Sequence, residues 1–541
     1  MKRALRALAT LLCVAAAAPL AAQTEAFSPQ IPLLVEREDN ILFAVRCEAQ
    51  QGEIFDSLTV EFDASVDMRN VKSVKLYYGG IGNADAEKQW WPVHYIPRDT
   101  PGRTLRAQPS YSVLQSRVKR PSHRVTLTSG QRMTAGINYF WVSIELSRRT
   151  PLDARIAASV AGVSTDGHST AVAMSPESCT ERRVGVGVRH AGDDGAAAYR
   201  IPGLVTTVKG TLLGVYDVRR NNSADLQEKI DIGVSRSTDG GRTWQPMRRA
   251  MSFAGVNGLP DAQNGVGDPA ILVDKVTGRV WIVAAWTHGL GNGRAWTCSG
   301  QGMAPEATGQ LVMCYSDDDG RTWSKPQNVT PQVKDPSWYF LLQGPGRGIT
   351  MHDGTLVFAA QYIDSERMPH ATILWSRDRG ETWHIGTGAR SDTTESQVAE
   401  ISDGVLMLNM RDNRGGSRAV SVTTDMGASW SEHPSNRSAL QEPVCMASLL
   451  AVGADENVLG RDLLIFSNPN STTRRNCITV KGSTDGGVTW PVKNGILLDT
   501  GDGWGYSCLT LVDPKTIGIL YEGSAAHMTF QTVKIGELIN E

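Results

Sequence analysis

From about residue 185 onward, the hydrophobic positions of this chain fall into short runs that repeat. Six runs occupy one equivalent place: Leu212–Tyr216, Val280–Ala285, Leu356–Gln361, Val405–Met410, Leu463–Ser467 and Ile517–Tyr521. Each is too short for a packed helix and is bounded by turn residues, so each predicts a strand. An earlier strand precedes each run, starting near Tyr199-Arg-Ile-Pro202, Asp268-Pro-Ala270, Gly344-Pro-Gly-Arg-Gly348, Glu395-Ser-Gln397, Cys445-Met-Ala447 and Tyr506-Ser-Cys508. A third strand follows the first five runs, and Ile230-Asp-Ile-Gly-Val234 shows its period of two. These third strands end in one pattern, Ser/Thr-x-Asp-x-Gly-x-Thr/Ser-Trp, at Ser237–Trp244, Ser316–Trp323, Ser376–Trp383, Thr423–Trp430 and Ser483–Trp490. Asp bonds the backbone two residues on, Gly supplies a positive φ, and the Trp packs the turn down. Recurrence at this spacing marks a repeat architecture. Six units of about four antiparallel strands predict an all-β chain whose residues 181–541 form a six-bladed β-propeller. The sixth unit lacks the turn, so its closing strand comes from the chain end or from residues near 185.

Residues 23–180 carry none of these turns. Their runs, such as Ser57–Phe62, Val74–Tyr78 and Tyr139–Leu146, predict a smaller β-sandwich ahead of the propeller, and Met174–Arg183 reads as the linker. The sandwich contains Tyr77-Tyr78 and Trp90-Trp91, aromatic pairs suited to core packing or, less often, to stacking on sugar rings. Residues 1–22 have the form of a secretory signal: Lys2, Arg3 and Arg6, then an apolar stretch from Ala7 to Leu20, with cleavage expected near Ala22. The protein is therefore expected to be exported to a periplasm, a cell surface or the medium. No later apolar run is long enough to span a bilayer.

Charge and cysteines narrow the chemistry. A net charge of −2 argues against a broad nucleic-acid surface. Without the signal, seven cysteines remain, with no CxxC spacing; Cys298 and Cys314 either bridge or stay as thiols. No HExxH motif, EF-hand-like loop or Walker loop occurs, and no metal or cofactor is expected. Asp317-Asp318-Asp319 lies inside a repeated turn and reads as turn structure rather than a calcium site.

Antiparallel pairing sorts the repeats into two edges. The start of the first strand, the end of the second and the start of the third share one edge, and the repeated turn lies at the other. The repeated aspartates are therefore structural. The first edge collects Arg200, Asp268, Glu395 and Tyr506 from first strands, Arg219 and Arg411 from second strands, Asp225 from a loop and Arg475 from a third strand. Arginines, carboxylates and one tyrosine thus converge near the axis.

On these residues the chain resembles the bacterial exo-α-sialidases (neuraminidases). The repeated turn is similar to that family's Asp box, and Tyr199-Arg200-Ile201-Pro202 to its Arg-Ile-Pro motif. Thr394–Glu400, Leu408–Asp412 and Arg475–Val480 resemble the segments that carry its central Glu and its second and third arginines. The resemblance covers about 185 to 541 and, more weakly, an N-terminal β-sandwich. It implies that Arg200, Arg411 and Arg475 clamp a substrate carboxylate; guanidiniums suit a planar anion because their donors form a rigid fork. Arg474 competes with Arg475 for the third place. It implies Tyr506 as nucleophile, Glu395 as its base and Asp225 as general acid/base, with Asp217, Glu228 and Asp231 as rivals to Asp225. Arg219 and Asp268 resemble accessory residues facing the sugar's 4-hydroxyl, and Arg347 is a candidate for the rim.

The function so implied is a secreted retaining sialidase, releasing terminal α-linked sialic acids from glycoproteins, glycolipids and oligosaccharides through a tyrosyl intermediate. A tyrosine nucleophile departs from the usual pair of carboxylates. The anomeric carbon of sialic acid bears a carboxylate, which would repel an anionic nucleophile. The rivals are a trans- or anhydro-sialidase with the same site, an enzyme for a related carboxylated sugar, and a non-catalytic propeller that binds sialoglycans.

Overall fold

The repeated turns are knots of hydrogen bonds. In the computed structural model, which describes residues 24–81, 113–291 and 293–539, all five have the same wiring. In the first, the Ser237 hydroxyl donates to Asp239 Oδ1 (2.9 Å) and accepts from Gly241 N–H (2.9 Å). Asp239 also accepts from the Thr243 backbone N–H (3.0 Å) and hydroxyl (2.7 Å). The set recurs at Asp318, Asp378, Asp425 and Asp485. Asp317, Asp318 and Asp319 are likewise consumed by turn and ion-pair bonds to Arg279, Thr322 and Arg236.

Each turn closes a sheet. The first sheet runs Ala198–Thr206, Leu212–Arg219, Ile230–Ser237 and Arg248–Met251, all antiparallel. Sheets of similar order follow around Val280–Trp286, Leu356–Ile363, Val405–Asp412 and Leu463–Pro469, and a last one around Thr516–Tyr521. All six predicted central runs are strands, extended by up to three residues. The third unit departs from expectation, since its first strand is broken into Phe340–Gln343, Gly346–Arg347 and Ile349–Thr350. Pro345 interrupts the ladder, and Gly346–Arg347 pairs instead, parallel, with Val266–Val273 of the neighbouring sheet.

The turn of one sheet presses on its neighbour. Gly241 has φ +87°, and a Cβ there would lie 2.0 Å from the Phe530 ring of the last sheet. Only glycine fits both demands. Gly320 meets Leu213 of the first sheet in the same way, Gly380 meets Trp281 of the second, Gly427 meets Ile373 of the third, and Gly487 meets Met407 of the fourth.

The N-terminal residues form a six-stranded sheet, in spatial order Ala173–Met174, Thr24–Phe27, Asn40–Ala49, Gly136–Leu146, Val71–Ile81 and Val113–Lys119. A further set, Arg155–Thr165, Ile54–Phe62 and Arg124–Arg132, joins a nine-stranded sheet. Phe55 and Phe140 stack between the two at 3.9 Å. Val125 and Leu127 point inward while Arg124 and Thr126 face solvent, the alternation of a half-buried strand. Tyr77 stacks on Trp141 at 4.3 Å and bonds Asp39, and Tyr78 bonds Asn138, so both serve the sheet. Trp90-Trp91 and the signal-like residues 1–22 lie outside the described residues.

The expected linker Met174–Arg183 is not a free tether. Ala173–Met174 pairs with Thr24–Phe27, and Glu181–Arg189 is a strand shared by two units. Its first half pairs with Arg155–Thr165, and its second half with Met528–Lys534 of the last sheet. Of the two sources considered for the closing strand of the last sheet, the residues near 185 supply it: Met528–Lys534 is the third strand and Glu181–Arg189 the fourth. One apolar cluster runs through the junction, from Phe43, Phe55 and Phe140 to Val184, Tyr216, Leu520 and Phe530. The seven described cysteines are all free thiols, so Cys298 and Cys314 do not bridge.

Candidate active site

The site lies where the sheets place the starts of their first strands. Register fixes the edge: Arg219 pairs with Ala198 and Ile230, whereas Leu212, at the other end of the same strand, pairs with Thr206 and with Ser237 of the Asp box. Seven residues of strand separate the two ends by about 23 Å. At the Arg219 edge a cavity of about 440 Å³ opens, lined by Arg200, Asp225, Asp268, Glu395, Arg411, Arg475 and Tyr506 among others. Seven of the eight residues named from sequence thus line one cavity.

Tyr506 stands at its floor. The phenol donates to Glu395 Oε1 at 2.5 Å, and Arg411 Nη1 bonds both Glu395 Oε2 (2.6 Å) and the phenol oxygen (3.1 Å). The guanidinium carbons of Arg200 and Arg475 lie 5.5 and 5.7 Å from the tyrosine ring centre. Three guanidiniums therefore surround one phenol. They do not make it a phenolate in the empty site: burial, reinforced by the Glu395 charge, pushes the pKa well above the ordinary value against Arg411 and Arg475. The tyrosine waits protonated, with its proton already aimed at a carboxylate.

The arginines differ in how they are neutralised. Arg200 pairs with Glu522 at 2.7 Å and Arg411 with Glu395. Arg475 has no acidic partner among the described residues; it donates to Trp504 O (3.3 Å) and Val444 O (3.1 Å). It leaves positive charge for an incoming anion. Arg474, its neighbour and competitor, is instead paired with Asp502.

Asp225 sits on the rim, with its side chain 44% exposed. Its Oδ1 accepts from Arg219 Nη1 (2.8 Å), its Oδ2 accepts from Arg294 Nη2 (2.5 Å), and Arg200 Nη1 is 4.0 Å away. Burial alone would raise its pKa, but Arg219, Arg200 and Arg294 outweigh burial and hold it at about 2. Arg219 is only 1% exposed and stands behind the wall, fixed by Asp217, Asp225 and Ser223 O. Asp268 has a positive φ of 57° and lines the cavity; burial, then the Asp217 and Asp225 charges, push its carboxyl pKa well up. The rivals to Asp225 are engaged elsewhere: Asp217 with Arg219, Glu228 with Asn221 and Asn222, Asp231 with Arg220. Arg347 does not reach the rim; its guanidinium bonds Leu509 O (3.4 Å) beneath the cavity.

Sequence reasoning missed several residues. Glu522, fully buried, bonds Arg200 Nε, Ile201 N–H (2.9 Å) and Tyr506 N–H (3.0 Å). A signal existed, because it directly follows Tyr521, the last residue of the sixth second strand, close to the places that Arg219 and Arg411 take at the ends of theirs. Arg294, Trp296, Phe340, Leu342, Gln361 and Thr394 also line the cavity. No spacing pattern marks them. Among the described residues, only His352, Glu400 and Asp403 bring three possible metal-ligand atoms together; His352 and Asp403 lie on turns and Glu400 near the end of a strand, at the opposite edge, where His352 already bonds Asp403.

Known proteins resemble this chain in sequence and fold. Residues 21–169 match the N-terminal domain of BNR-repeat neuraminidase, and residues 222–514 match the BNR repeat-like domain. A sialidase of Bacteroides fragilis is 54% identical over the full length of both chains. A sialidase of Micromonospora viridifaciens is 33% identical over 61% of this chain and 50% of its own. The solved structure of a Hadza microbial sialidase superposes with a TM-score of 0.91 at 58% identity, over 95% of this chain and all of that one. The protein is a glycoside hydrolase. Within that class, the chain belongs to the sialidase family.

Proposed function

We propose that this protein is an exported, retaining exo-α-sialidase that frees terminal α-linked sialic acids from glycoproteins, glycolipids and oligosaccharides. The observation that carries the reading is the phenol of Tyr506, which donates to Glu395 at 2.5 Å inside a ring of three guanidiniums. Arg200, Arg411 and Arg475 grip the substrate carboxylate, and the one with no acidic partner, Arg475, gains most from it. Asp225, ionised in the empty site, takes up a proton from solvent when substrate binds and gives it to the glycosidic oxygen as the C2–O bond breaks. The Tyr506 oxygen bonds C2 while its proton passes to Glu395, so a neutral phenol meets the anionic sugar and the leaving alcohol departs neutral. Water, deprotonated by Asp225, then releases the sugar and returns the phenol. Arg219 and Asp268 serve the 4-hydroxyl side of the sugar. The scheme requires no cofactor.

The architecture we infer is a six-bladed propeller over 181–541 behind a β-sandwich over 23–180, with residues 1–22 as an export signal. Each Asp box packs on the preceding sheet, and the first packs on Phe530 of the last, which supports a closed ring of six. Stacking of Phe55 on Phe140 between two sheets supports the sandwich.

The test is turnover of a fluorogenic α-sialoside by the wild type and by Tyr506→Phe, with the product followed by proton NMR. We expect free sialic acid, released first as the α-anomer, and a loss of at least about a thousandfold in the variant, as for removal of an activated nucleophile. Undiminished turnover in Tyr506→Phe, or first release of the β-anomer, overturns the assignment. An anhydro or transferred product would keep the site and change the acceptor.

A further inference from the structure

Arg294 has no role in the scheme above, yet it sits on the scheme's acid. Its segment is fixed to the Asp225 loop by one backbone and one side-chain bond: Ala295 N–H donates to Leu226 O (2.8 Å), and the Gln227 amide Nε2 donates to Gly293 O (3.1 Å). The side chain itself is 72% exposed and reaches back over the cavity mouth. Arg219 approaches Asp225 from the buried side and takes Oδ1; Arg294 approaches from the solvent side and takes Oδ2.

The two oxygens are not equivalent for proton transfer. A guanidinium only donates. With Oδ1 held by the immobile Arg219, the catalytic proton belongs on Oδ2, the oxygen that faces outward toward a leaving group. Arg294 Nη2, 2.5 Å from Oδ2, stands where that proton and the glycosidic oxygen must be. Contact with Arg294 and readiness to act as an acid therefore compete.

We propose that Arg294 is a latch on Asp225, a positioning residue that occupies Oδ2 in the empty site and must swing out before the carboxyl can protonate a departing alcohol. The inference rests on Asp225 being the acid of the proposed sialidase reaction. Opening is a side-chain rotation of an exposed arginine, whereas the Arg219 contact stays closed because that side chain is buried. The latch penalises alcohols that need a proton to leave and spares phenols that do not. It also ties the step to pH through the groups facing Asp225: Arg219, Arg200 and Arg294 favour its ionised form, and neighbouring Asp268 carries the opposing carboxyl.

The experiment compares kcat/KM against pH for 3′-sialyllactose and for 4-methylumbelliferyl α-sialoside, in the wild type, Arg294→Ala, Arg294→Lys and Asp225→Ala. In Arg294→Ala the descending limb for sialyllactose should move up by about one pH unit, the low end for loss of one neighbouring charge. Near neutrality the ratio of sialyllactose to aryl rates should rise about tenfold with it. Arg294→Lys, which keeps the charge, should stay near the wild type. An Arg294→Ala profile that overlays the wild type, or a ratio that falls, overturns the latch. Asp225→Ala tests the foundation separately: it should lose sialyllactose far more than the aryl substrate, and equal losses would sink the acid assignment and the latch with it.

Discussion

Glu522 holds three groups with two oxygens: the Arg200 guanidinium and the backbone N–H groups of Ile201 and Tyr506. It thereby sets the distance between the first arginine and the tyrosine from below, without touching the cavity. Glu522→Gln keeps the shape but removes the charge opposite a buried guanidinium. Breaking a buried ion pair from one side costs about 3–5 kcal/mol, and the retained amide should hold this case near about 3. We expect a lower thermal midpoint and a fall in kcat/KM expressed mainly in KM, since Arg200 would lose its aim at the substrate carboxylate; calorimetry and steady-state kinetics read the two. Unchanged kinetics in a destabilised variant would reduce Glu522 to a packing role. At this scale the sequence was most legible where residue types are rare and ordered along repeats, as at Arg200, Glu395, Arg411 and Tyr506. It was least legible where the contribution is made by a loop tip. Arg294 lies in the same kind of inter-strand loop as Asp225, but no periodicity selects it from its neighbours.

Among elements, the Asp box is the unit that repeats, and its chemistry is confined to the edge away from the cavity. Asp239→Ala strips three hydrogen bonds from one turn, and a cost of about 1–2 kcal/mol is expected, as for loss of a side-chain cap. Urea denaturation should read the cost while kcat/KM stays at the wild-type value; an equal loss of activity would mean that the two edges are coupled. The boxes also predict an acid limit. Burial opposes ionisation of Asp318 and Asp378, but bonds from the following threonine and preceding serine win and hold both pKa values at about 2. A carboxylate with a depressed folded value lends stability in full above its unfolded pKa, near 3.9, and loses it as pH falls through the folded value. Stability from the boxes should therefore drain between about pH 4 and pH 2. Urea midpoints measured down that range should fall less steeply in Asp378→Asn, and parallel curves would refute the linkage. Strands were legible because apolar runs and turns punctuate them. The broken strand of the third unit was not, because its register is decided by Val266–Val273 next door, a long-range partner invisible to local pattern.

At the scale of the whole molecule, Glu181–Arg189 belongs to both halves. Arg183 and Arg155 also grip Glu537 at the chain's end, and fully buried Arg182 donates to Ile31 O and Ile41 O. The sequence reads as two modules with a tether, since the repeated runs and turns begin only after residue 180. It could not show that the join is a shared strand, because one of its two partners, Met528–Lys534, lies far along the chain from it. A chain starting at residue 181 would bare the apolar surface of Val184, Ala525 and Ala526, which is buried together with Leu33 and Leu34 of the N-terminal residues. We expect it to aggregate on size-exclusion chromatography and to melt well below the full-length protein. A monodisperse, equally stable fragment would show the halves to be independent.

That shared strand also dictates an order of events. Gly187 cannot find its partner Thr529 until almost the entire polypeptide exists, so the earliest-made strand of the catalytic half waits for the last-made one. Pairings so distant along the chain are slow to form. A nascent molecule of this kind spends most of its synthesis without a finished site, and it acquires activity in one late act of closure, when Glu181–Arg189 meets Met528–Lys534.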